Sequence, residues 1–278
     1  MIPTRVVCAV AVTFLVGATT PVTASEPCPT AGPQSGRDVG NAAGTNSISF
    51  AKAPPAATMN LCNIHFHRSA EHKAKGYSTS AGAGDHGGWA CNGTEPRMGG
   101  EEESHGAEMS HGEMSHGKAG TPGCKGIEAG DTVEVHWVYT TCDTGPGNGL
   151  GNCVSCPEEG RSLRVEARVF QLEKKGLNFK RFDYRPGSSP AQPRSLPKAF
   201  DPVTYAGSTT GTSFDDKTCS PFEVTWNVST ECSPLKISTL HKWCGLGDEI
   251  NNVFGEKKAH GVRALVTNPE YLSPIEGD

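Results

Sequence analysis

The chain has 278 residues and a formal net charge of −5 at pH 7, and it contains 34 glycines and 20 prolines. A nucleic-acid-binding protein needs basic residues clustered on one face, so this mildly acidic sequence without a basic cluster excludes nucleic acid as a partner. The hydrophobic content of 35% suits one large loop-rich β-domain as well as two small ones.

The first element is an N-terminal leader. Residues 1–24 carry a positive charge at Arg5, an apolar run over 6–18 and small residues at Val22 and Ala24, which is typical of a cleaved signal peptide. A membrane anchor is the rival interpretation, but an apolar run of roughly 13 residues falls short of the roughly 20 that cross a bilayer. We therefore expect an exported protein, periplasmic or extracellular, with no membrane span in the mature chain.

Ten cysteines follow the leader, and an even number in an exported protein predicts disulfides. Cys153 and Cys156 form a lone CxxC. Because no second CxxC follows, a structural bridge is favoured over a zinc knuckle or a redox pair. The spacing does not determine which cysteines pair.

The remaining elements indicate a mainly β fold. Residues 25–60 lack periodicity and predict an irregular lead-in, packed on the surface or partly disordered. Stretches rich in β-branched and aromatic residues predict strands at 61–67, 131–141, 162–172, 222–229 and 262–268. Helical periodicity is weak apart from short turns. We expect a single domain over 61–278, built on a largely antiparallel central sheet with long loops.

A His-rich insert interrupts this domain at about 100–118, where the sequence reads EEESHGAEMSHGEMSHGKAG over 101–120. Apolar residues are nearly absent there, so the insert cannot supply a core and is predicted to be a mobile loop. Its histidines, methionines and carboxylates can bind zinc or copper weakly. A solvated linker is one interpretation, and a segment that gathers metal for a site elsewhere is the other.

Two predicted strands carry a pattern typical of a metal site. His65 and His67 are two residues apart in a strand, so their imidazoles lie on one face about 7 Å apart. His136 lies on the next strand, and three histidines bind zinc while leaving a fourth position for water. Glu134 faces the same way as His136 and can accept a hydrogen bond from an imidazole N–H.

These residues belong to a longer series of motifs. The chain reads IHFHR at 64–68, AEH at 70–72, VEVHW at 133–137, YAGSTTG at 205–211 and CSPFEVTWNV at 219–228. The order resembles HxHW, SEH, ExH, GSxTTPPC and VTW of the α-class carbonic anhydrases. Arg68 replaces the tryptophan, AEH follows the HxH almost at once, and extra segments precede VEVHW and Cys219. With these departures, the chain is similar to the δ-class carbonic anhydrases, in pieces from about Leu61 to Pro269.

The resemblance implies an α-carbonic-anhydrase-like fold and the reversible hydration of CO2 to bicarbonate and a proton by a zinc-bound hydroxide. It implies that His65, His67 and His136 bind Zn2+, which Co2+ or Cd2+ can replace in a site of three imidazoles. Glu134 matches the residue that supports a ligand. Thr210 matches the threonine that orients the hydroxide, with Thr209 as an alternative because an insertion follows closely. Glu71 matches the carboxylate that accepts the threonine's hydrogen bond.

The remaining cysteines and histidines lie outside these motifs or at their edges. The resemblance suggests a bridge from Cys219 to Cys62 or Cys28, and Cys232 and Cys244 flank a short excursion as a candidate local pair. No histidine occurs between residues 25 and 64, where fast α-class enzymes have a proton relay. His72 and His86 are candidates for that relay because they are near the HxH in the sequence, although His72 is interpreted as a packing residue. His241 and His260 are interpreted as ordinary surface or satisfied histidines.

Three functions compete on these observations. The first is a zinc carbonic anhydrase with CO2 and bicarbonate as its small-molecule substrates. The second is an exported protein that stores or delivers zinc or copper, and the third is a catalytically silent β-domain that binds a partner. A metal carrier gains nothing from GSTTG or Glu71, whereas hydroxide orientation needs both, so the enzyme is favoured. No pattern specifies an oligomeric state.

Overall fold

The computed structural model describes residues 31–82, 87–96, 123–209, 218–245 and 253–276. The predicted signal peptide, the His-rich insert, His86 and Thr210 lie outside the described residues. The described strands are β1 (Asn60–Arg68), β2 (Thr79–Ser80), β3 (Trp89–Ala90), β4 (Thr132–Thr140), β5 (Leu163–Glu173), β6 (Val203–Ser208) and β7 (Glu223–Lys236). They are followed by one α-helix, α1 (Ile237–Gly245), and short 3-10 helices lie at Ala56–Thr58, Gly151–Val154, Phe179–Arg181 and Pro269–Tyr271.

Five of the strands form the central sheet in the order β1-β4-β5-β7-β6, and β2 pairs with β3 in a small separate sheet. The neighbours in the central sheet are antiparallel except for β5 and β7, which run parallel. The prediction of a mainly β single domain on a largely antiparallel sheet is confirmed. Within the described ranges, none of the helices has the length and apolar character needed to span a membrane.

Strand β4 is an interior strand of the central sheet, between β1 and β5, and all nine of its residues are buried. Side chains alternate across a strand, so Val133, Val135, Trp137 and Tyr139 enter one hydrophobic core while Val138 enters a second core on the opposite face. Glu134 and His136 share the face of Val138. The sheet therefore places these polar side chains between packed apolar layers, where water has little access.

The predicted strand at 262–268 is wrong. Its backbone groups bond to loops and to a side chain instead: the Arg263 N–H lies 3.4 Å from Glu71 Oε1, and the Val266 N–H donates to the Gly36 carbonyl. β6 was missed because its Gly-Ser ending has the composition of a loop. α1 was missed because nine residues give only a weak periodic signal.

The lead-in predicted over 25–60 is described from residue 31, and part of it lies deep in the protein. Arg37 is fully buried, and its guanidinium donates to the carbonyls of Asn41, Ala43 and Ser273. A fully buried arginine is rare unless it is paired, and here both terminal nitrogens of the guanidinium are held by carbonyl oxygens. Arg37 therefore ties this segment to the C-terminal segment of the domain.

Four disulfides join cysteines of the described residues: Cys62–Cys153, Cys91–Cys232, Cys124–Cys244 and Cys142–Cys156. The two cysteines of the CxxC thus bridge to other elements rather than to each other. The predicted Cys219–Cys62 and Cys232–Cys244 pairs are wrong, because Cys62 pairs with Cys153, Cys232 with Cys91 and Cys244 with Cys124. Cys28 lies outside the described residues. Four disulfides indicate an oxidising compartment.

Candidate metal centre

The pairing of β1 with β4 brings the three predicted histidines together. In the antiparallel register His65 lies opposite His136, and His67 lies opposite Glu134. Residues two apart on a strand share a face, so all four side chains project from the same face of the sheet. One ring nitrogen from each of His65, His67 and His136 lies within 4.8 Å of the others.

Hydrogen bonds on the outer side of the cluster determine which nitrogens of His65 and His67 carry protons. His65 Nδ1 lies 2.6 Å from the side-chain oxygen of Asn63, and His67 Nδ1 lies 2.7 Å from the carbonyl oxygen of Gly261. Both oxygens can only accept, so both Nδ1 atoms must donate. A neutral imidazole has one N–H, so each Nε2 presents a lone pair to the interior of the cluster.

His136 has the opposite tautomer. Its Nε2 donates to Glu134 Oε1 at 2.9 Å, so its Nδ1 is the nitrogen with the lone pair. That Nδ1 lies 3.2 Å from His65 Nε2. Two lone pairs therefore face each other at hydrogen-bond distance with no proton between them.

This arrangement fits a zinc ion. Tetrahedral zinc with bonds of about 2.0–2.1 Å separates its nitrogen ligands by about 3.3 Å, close to the 3.2 Å between His136 Nδ1 and His65 Nε2. His67 Nε2 is buried and has no hydrogen-bond partner within the described part of the chain. Burial lowers the pKa of His65 well below its ordinary value, and the neighbouring His136 lowers it further. Neutral imidazoles are the form that metal binding requires.

Behind His136, a buried chain of hydrogen bonds extends away from the cluster. Glu134 Oε1 also accepts from His72 Nδ1 at 2.6 Å, and His72 Nε2 lies 2.8 Å from the Tyr205 hydroxyl. Burial alone raises the pKa of Glu134, but the electrostatic interaction with His72 and the hydrogen bonds from His136 and His72 outweigh it, so the pKa lies well below its ordinary value. His72 is thus a buried link in this chain rather than only a packing residue.

A second group of three side chains has ligand atoms within 4.8 Å of one another: His72, Glu134 and His136. We do not interpret them as a metal site, because Glu134 Oε1 already accepts a hydrogen bond from each of the two rings. A metal between them would displace both hydrogen bonds and would compete with the first cluster for His136. The geometry assigns these residues to support of the His136 tautomer.

Glu71 lies at the edge of the cluster and is 2% exposed. Its Oε2 is 3.8 Å from His67 Nε2 and 4.0 Å from His136 Nε2. Its backbone N–H donates to Glu134 Oε2 at 2.8 Å, so the carboxylate that supports His136 also anchors the Glu71 backbone. The predicted site residues His65, His67, His136, Glu134 and Glu71 are therefore gathered in one place.

The predicted threonine is Thr210, which lies outside the described residues, so its place relative to the cluster stays a prediction. The alternative, Thr209, is described at the end of β6. Its hydroxyl lies 3.1 Å from the hydroxyl of Ser220, and its backbone N–H donates to the Phe222 carbonyl. The Thr209 side chain is therefore engaged with Ser220.

His260 was not recognised from the sequence as a neighbour of the site. Its ring centroid lies 5.7 Å from that of His65 and 5.8 Å from that of His67. Backbone hydrogen bonds to Phe66 and Arg68 on β1 hold it there. Its Nε2 lies 2.9 Å from Glu256 Oε2, and this hydrogen bond raises the pKa of His260 against the opposing effect of burial.

Comparison with known protein families finds a match over the part of the chain that contains the site. A family model described as Delta carbonic anhydrase matches residues 56–239, which is more than half of the chain. The match spans β1 to the start of α1 and includes all five gathered site residues. Among curated proteins and among solved structures, nothing matches the chain.

Proposed function

Because this chain belongs to the delta carbonic anhydrase family, we propose that it catalyses the reversible hydration of CO2 to bicarbonate and a proton with Zn2+ as its cofactor. The zinc ligands in this proposal are His65 Nε2, His67 Nε2 and His136 Nδ1. The observation that carries it is that all three inward nitrogens present lone pairs while their outer nitrogens are bound to acceptors. Co2+ and Cd2+ are further metals that three imidazoles accept.

Zn2+ held by these three nitrogens would leave a position for water and would lower the pKa of that water to about 7. The protein's contribution is to keep the three ligands in one protonation state. Glu134 performs this for His136, and its other oxygen is bound by the Glu71 and His72 N–H groups, so the carboxylate cannot rotate. An oriented outer partner also makes a ligating imidazole more basic.

Glu71 and Thr210 are proposed to orient the reacting oxygen. An ionised carboxylate can only accept, so a threonine hydroxyl bonded to Glu71 must donate its proton to it. The lone pairs of that hydroxyl would then be available to accept a hydrogen bond from the reacting water. Two observations support the proposal: Glu71 Oε2 lies 3.8 Å from His67 Nε2, one of the proposed ligand nitrogens, and the hydroxyl of Thr209, the alternative, is engaged with Ser220.

We also propose that the protein works outside the cytoplasm, in a periplasm or in the extracellular space. The leader sequence and the disulfides support this proposal. The proposed substrates, CO2 and bicarbonate, are small molecules. The proposed reaction involves neither a nucleic acid nor a membrane span. Secretion of the full-length chain with removal of residues 1–24 is the result expected from N-terminal sequencing of the exported product.

The test of the proposed function is stopped-flow CO2 hydration by the zinc-loaded protein and two histidine variants. His136→Ala should lose bound zinc and activity together. His241→Ala is the matched control, because His241 lies on α1 outside the cluster, and it should retain both. A parent protein that binds one zinc but hydrates CO2 no faster than buffer would instead support metal storage or delivery.

A further inference from the structure

A glycine-rich loop lies against the outer side of the metal centre. Residues 143–152 read DTGPGNGLGN, and we call this segment the glycine loop. Two disulfides enclose it: Cys142–Cys156 joins its two flanks, and Cys62–Cys153 joins its end to β1. The Gly147 N–H also donates to the Cys62 carbonyl. The loop is therefore fastened to the strand that carries His65 and His67.

The glycine loop reaches the site through Asn63. The Asn63 side chain is 1% exposed, and its amide nitrogen donates to the Gly149 carbonyl at 3.1 Å and to the Gly147 carbonyl at 3.4 Å. On its other side, the amide oxygen accepts from His65 Nδ1 at 2.6 Å. Asn63 thus stands between two loop carbonyls and one of the histidines.

The carbonyls determine the direction of the whole chain of hydrogen bonds. An asparagine amide has nearly the same shape when it is flipped, so its neighbours decide which end points where. The Gly147 and Gly149 carbonyls can only accept, so they hold the NH2 group, and the oxygen must face His65. His65 must then carry its proton on Nδ1 and its lone pair on Nε2.

Without these carbonyls the amide is free to flip. Its NH2 group would then face His65 Nδ1 and favour the tautomer with the proton on Nε2. That proton would occupy the position that points at His136 Nδ1, 3.2 Å away. The flipped amide would therefore oppose metal binding.

The glycine loop needs its cross-links to hold this position. Glycine loses more conformational freedom on ordering than any other residue. Gly149 adopts φ +68°, a left-handed conformation in which other residues are strained, and its carbonyl is the nearer acceptor for Asn63. A bridge between the two flanks reduces the number of conformations available to such a loop.

We propose that the disulfide-closed glycine loop is a positioning element that sets the tautomer of His65 through Asn63 and thereby tunes the metal affinity of the site. The proposal rests on the proposed function for the identity of the metal. Its mechanism concerns only the chain's own residues. The Cys142–Cys156 and Cys62–Cys153 bridges then have a second role beyond stabilising the fold, which is to hold the glycine loop in place at the metal centre.

The test combines two measurements on the full-length protein: the His65 tautomer by 15N NMR without metal, and zinc affinity by competition with a chelator. The wild type should hold the Nδ1–H tautomer. Cys142→Ser with Cys156→Ser should give a mixture of tautomers and about tenfold weaker zinc binding, the lower end of the effect of losing an outer partner. Gly149→Val keeps every bridge, disfavours the left-handed conformation and should produce the same shift.

Variants of Asn63 provide the coupling test. Asn63→Ala should weaken zinc binding about tenfold, and opening the Cys142–Cys156 bridge in that background should cause no further loss. Asn63→Asp keeps an acceptor for His65 without needing the loop, so it should retain the Nδ1–H tautomer. Cys91→Ser with Cys232→Ser is the matched control: its bridge closes a longer segment and should contribute more to stability, yet its loss should leave the tautomer unchanged.

The proposal is overturned if Gly149→Val and the opened bridge both leave His65 in the Nδ1–H tautomer. It is also overturned if opening the bridge weakens zinc binding equally with and without Asn63, or if the Cys91–Cys232 control weakens it as much. Failure of the wild type to bind zinc would refute the proposed function instead. The tautomer measurement is made without metal and tests the glycine loop in either case.

Discussion

Replacing Glu134 by glutamine is expected to weaken zinc binding about 10–100-fold while the chain still folds. Four donors converge on the Glu134 carboxylate: the backbone N–H groups of Glu71 and His72 on Oε2, and the rings of His72 and His136 on Oε1. A glutamine amide has a single oxygen, so its NH2 group must face one of these two pairs of donors.

The two orientations of the amide have different consequences. If the NH2 group faces the backbone pair, two buried N–H groups lose their acceptor at about 1–3 kcal/mol each. If it faces the rings, both rings can respond by changing tautomer: His136 moves its proton from Nε2 to Nδ1, and His72 carries its proton on Nε2, which faces the Tyr205 hydroxyl. The second orientation therefore has the lower free energy. The proton on His136 Nδ1 then blocks the ligand position, and a 10–100-fold loss of affinity corresponds to about 1.4–2.7 kcal/mol.

Chelator competition measures the zinc affinity of Glu134→Gln, and 15N NMR without metal reports the tautomer of His136. Glu166→Gln is the matched control, because Glu166 is a buried carboxylate on β5 that accepts from Arg164 and Arg168 rather than from the site. We expect that variant to lose stability but not zinc affinity. Unchanged zinc affinity in Glu134→Gln, with the proton still on His136 Nε2, would refute the reasoning.

Three further predictions concern stability. Zinc at 1,000 times its dissociation constant should raise the free energy of unfolding by about 4.1 kcal/mol; thermal unfolding of His67→Ala should show no such response, and an equal response would contradict the ligand assignment. Tyr205→Phe removes the hydroxyl that bonds His72 Nε2 and should cost about 1–3 kcal/mol in urea unfolding; no change would mean that this nitrogen has another partner. Burial raises the pKa of Asp183, so its contribution to stability is fully present below the unfolded pKa of about 3.9 and is lost as pH rises through the folded pKa. Asp183→Asn keeps an acceptor for Trp243 Nε1 and should flatten that part of the pH profile, whereas an identical profile would assign the dependence to other groups.

The gathering of His65, His67, His136 and Glu134 was predictable because strand alternation is local. Side chains two residues apart on a strand lie on the same face of the sheet, independently of the rest of the fold. The same alternation places Asn63 on the face of His65, so its role had a usable signal in the sequence. What required the structure was the register that sets His65 opposite His136.

Partners from distant parts of the chain could not be predicted. Gly261 accepts from His67 across 194 positions, and Tyr205 meets His72 across 133. His260 has no motif around it and reaches the site only because its backbone pairs with β1. The prediction of the disulfide pairs failed for the same reason. Cys91, just after β3, pairs with Cys232 in β7 across 141 positions, and no local sequence pattern specifies such a pairing.

The most direct measurement is CO2 hydration followed while zinc is added to the metal-free protein. We expect the rate to rise in proportion to bound zinc, to stop rising at one zinc per chain, and to stay at the buffer rate throughout in His136→Ala. A chain that has bound one zinc through these histidines and still hydrates CO2 no faster than buffer would contradict the proposed function.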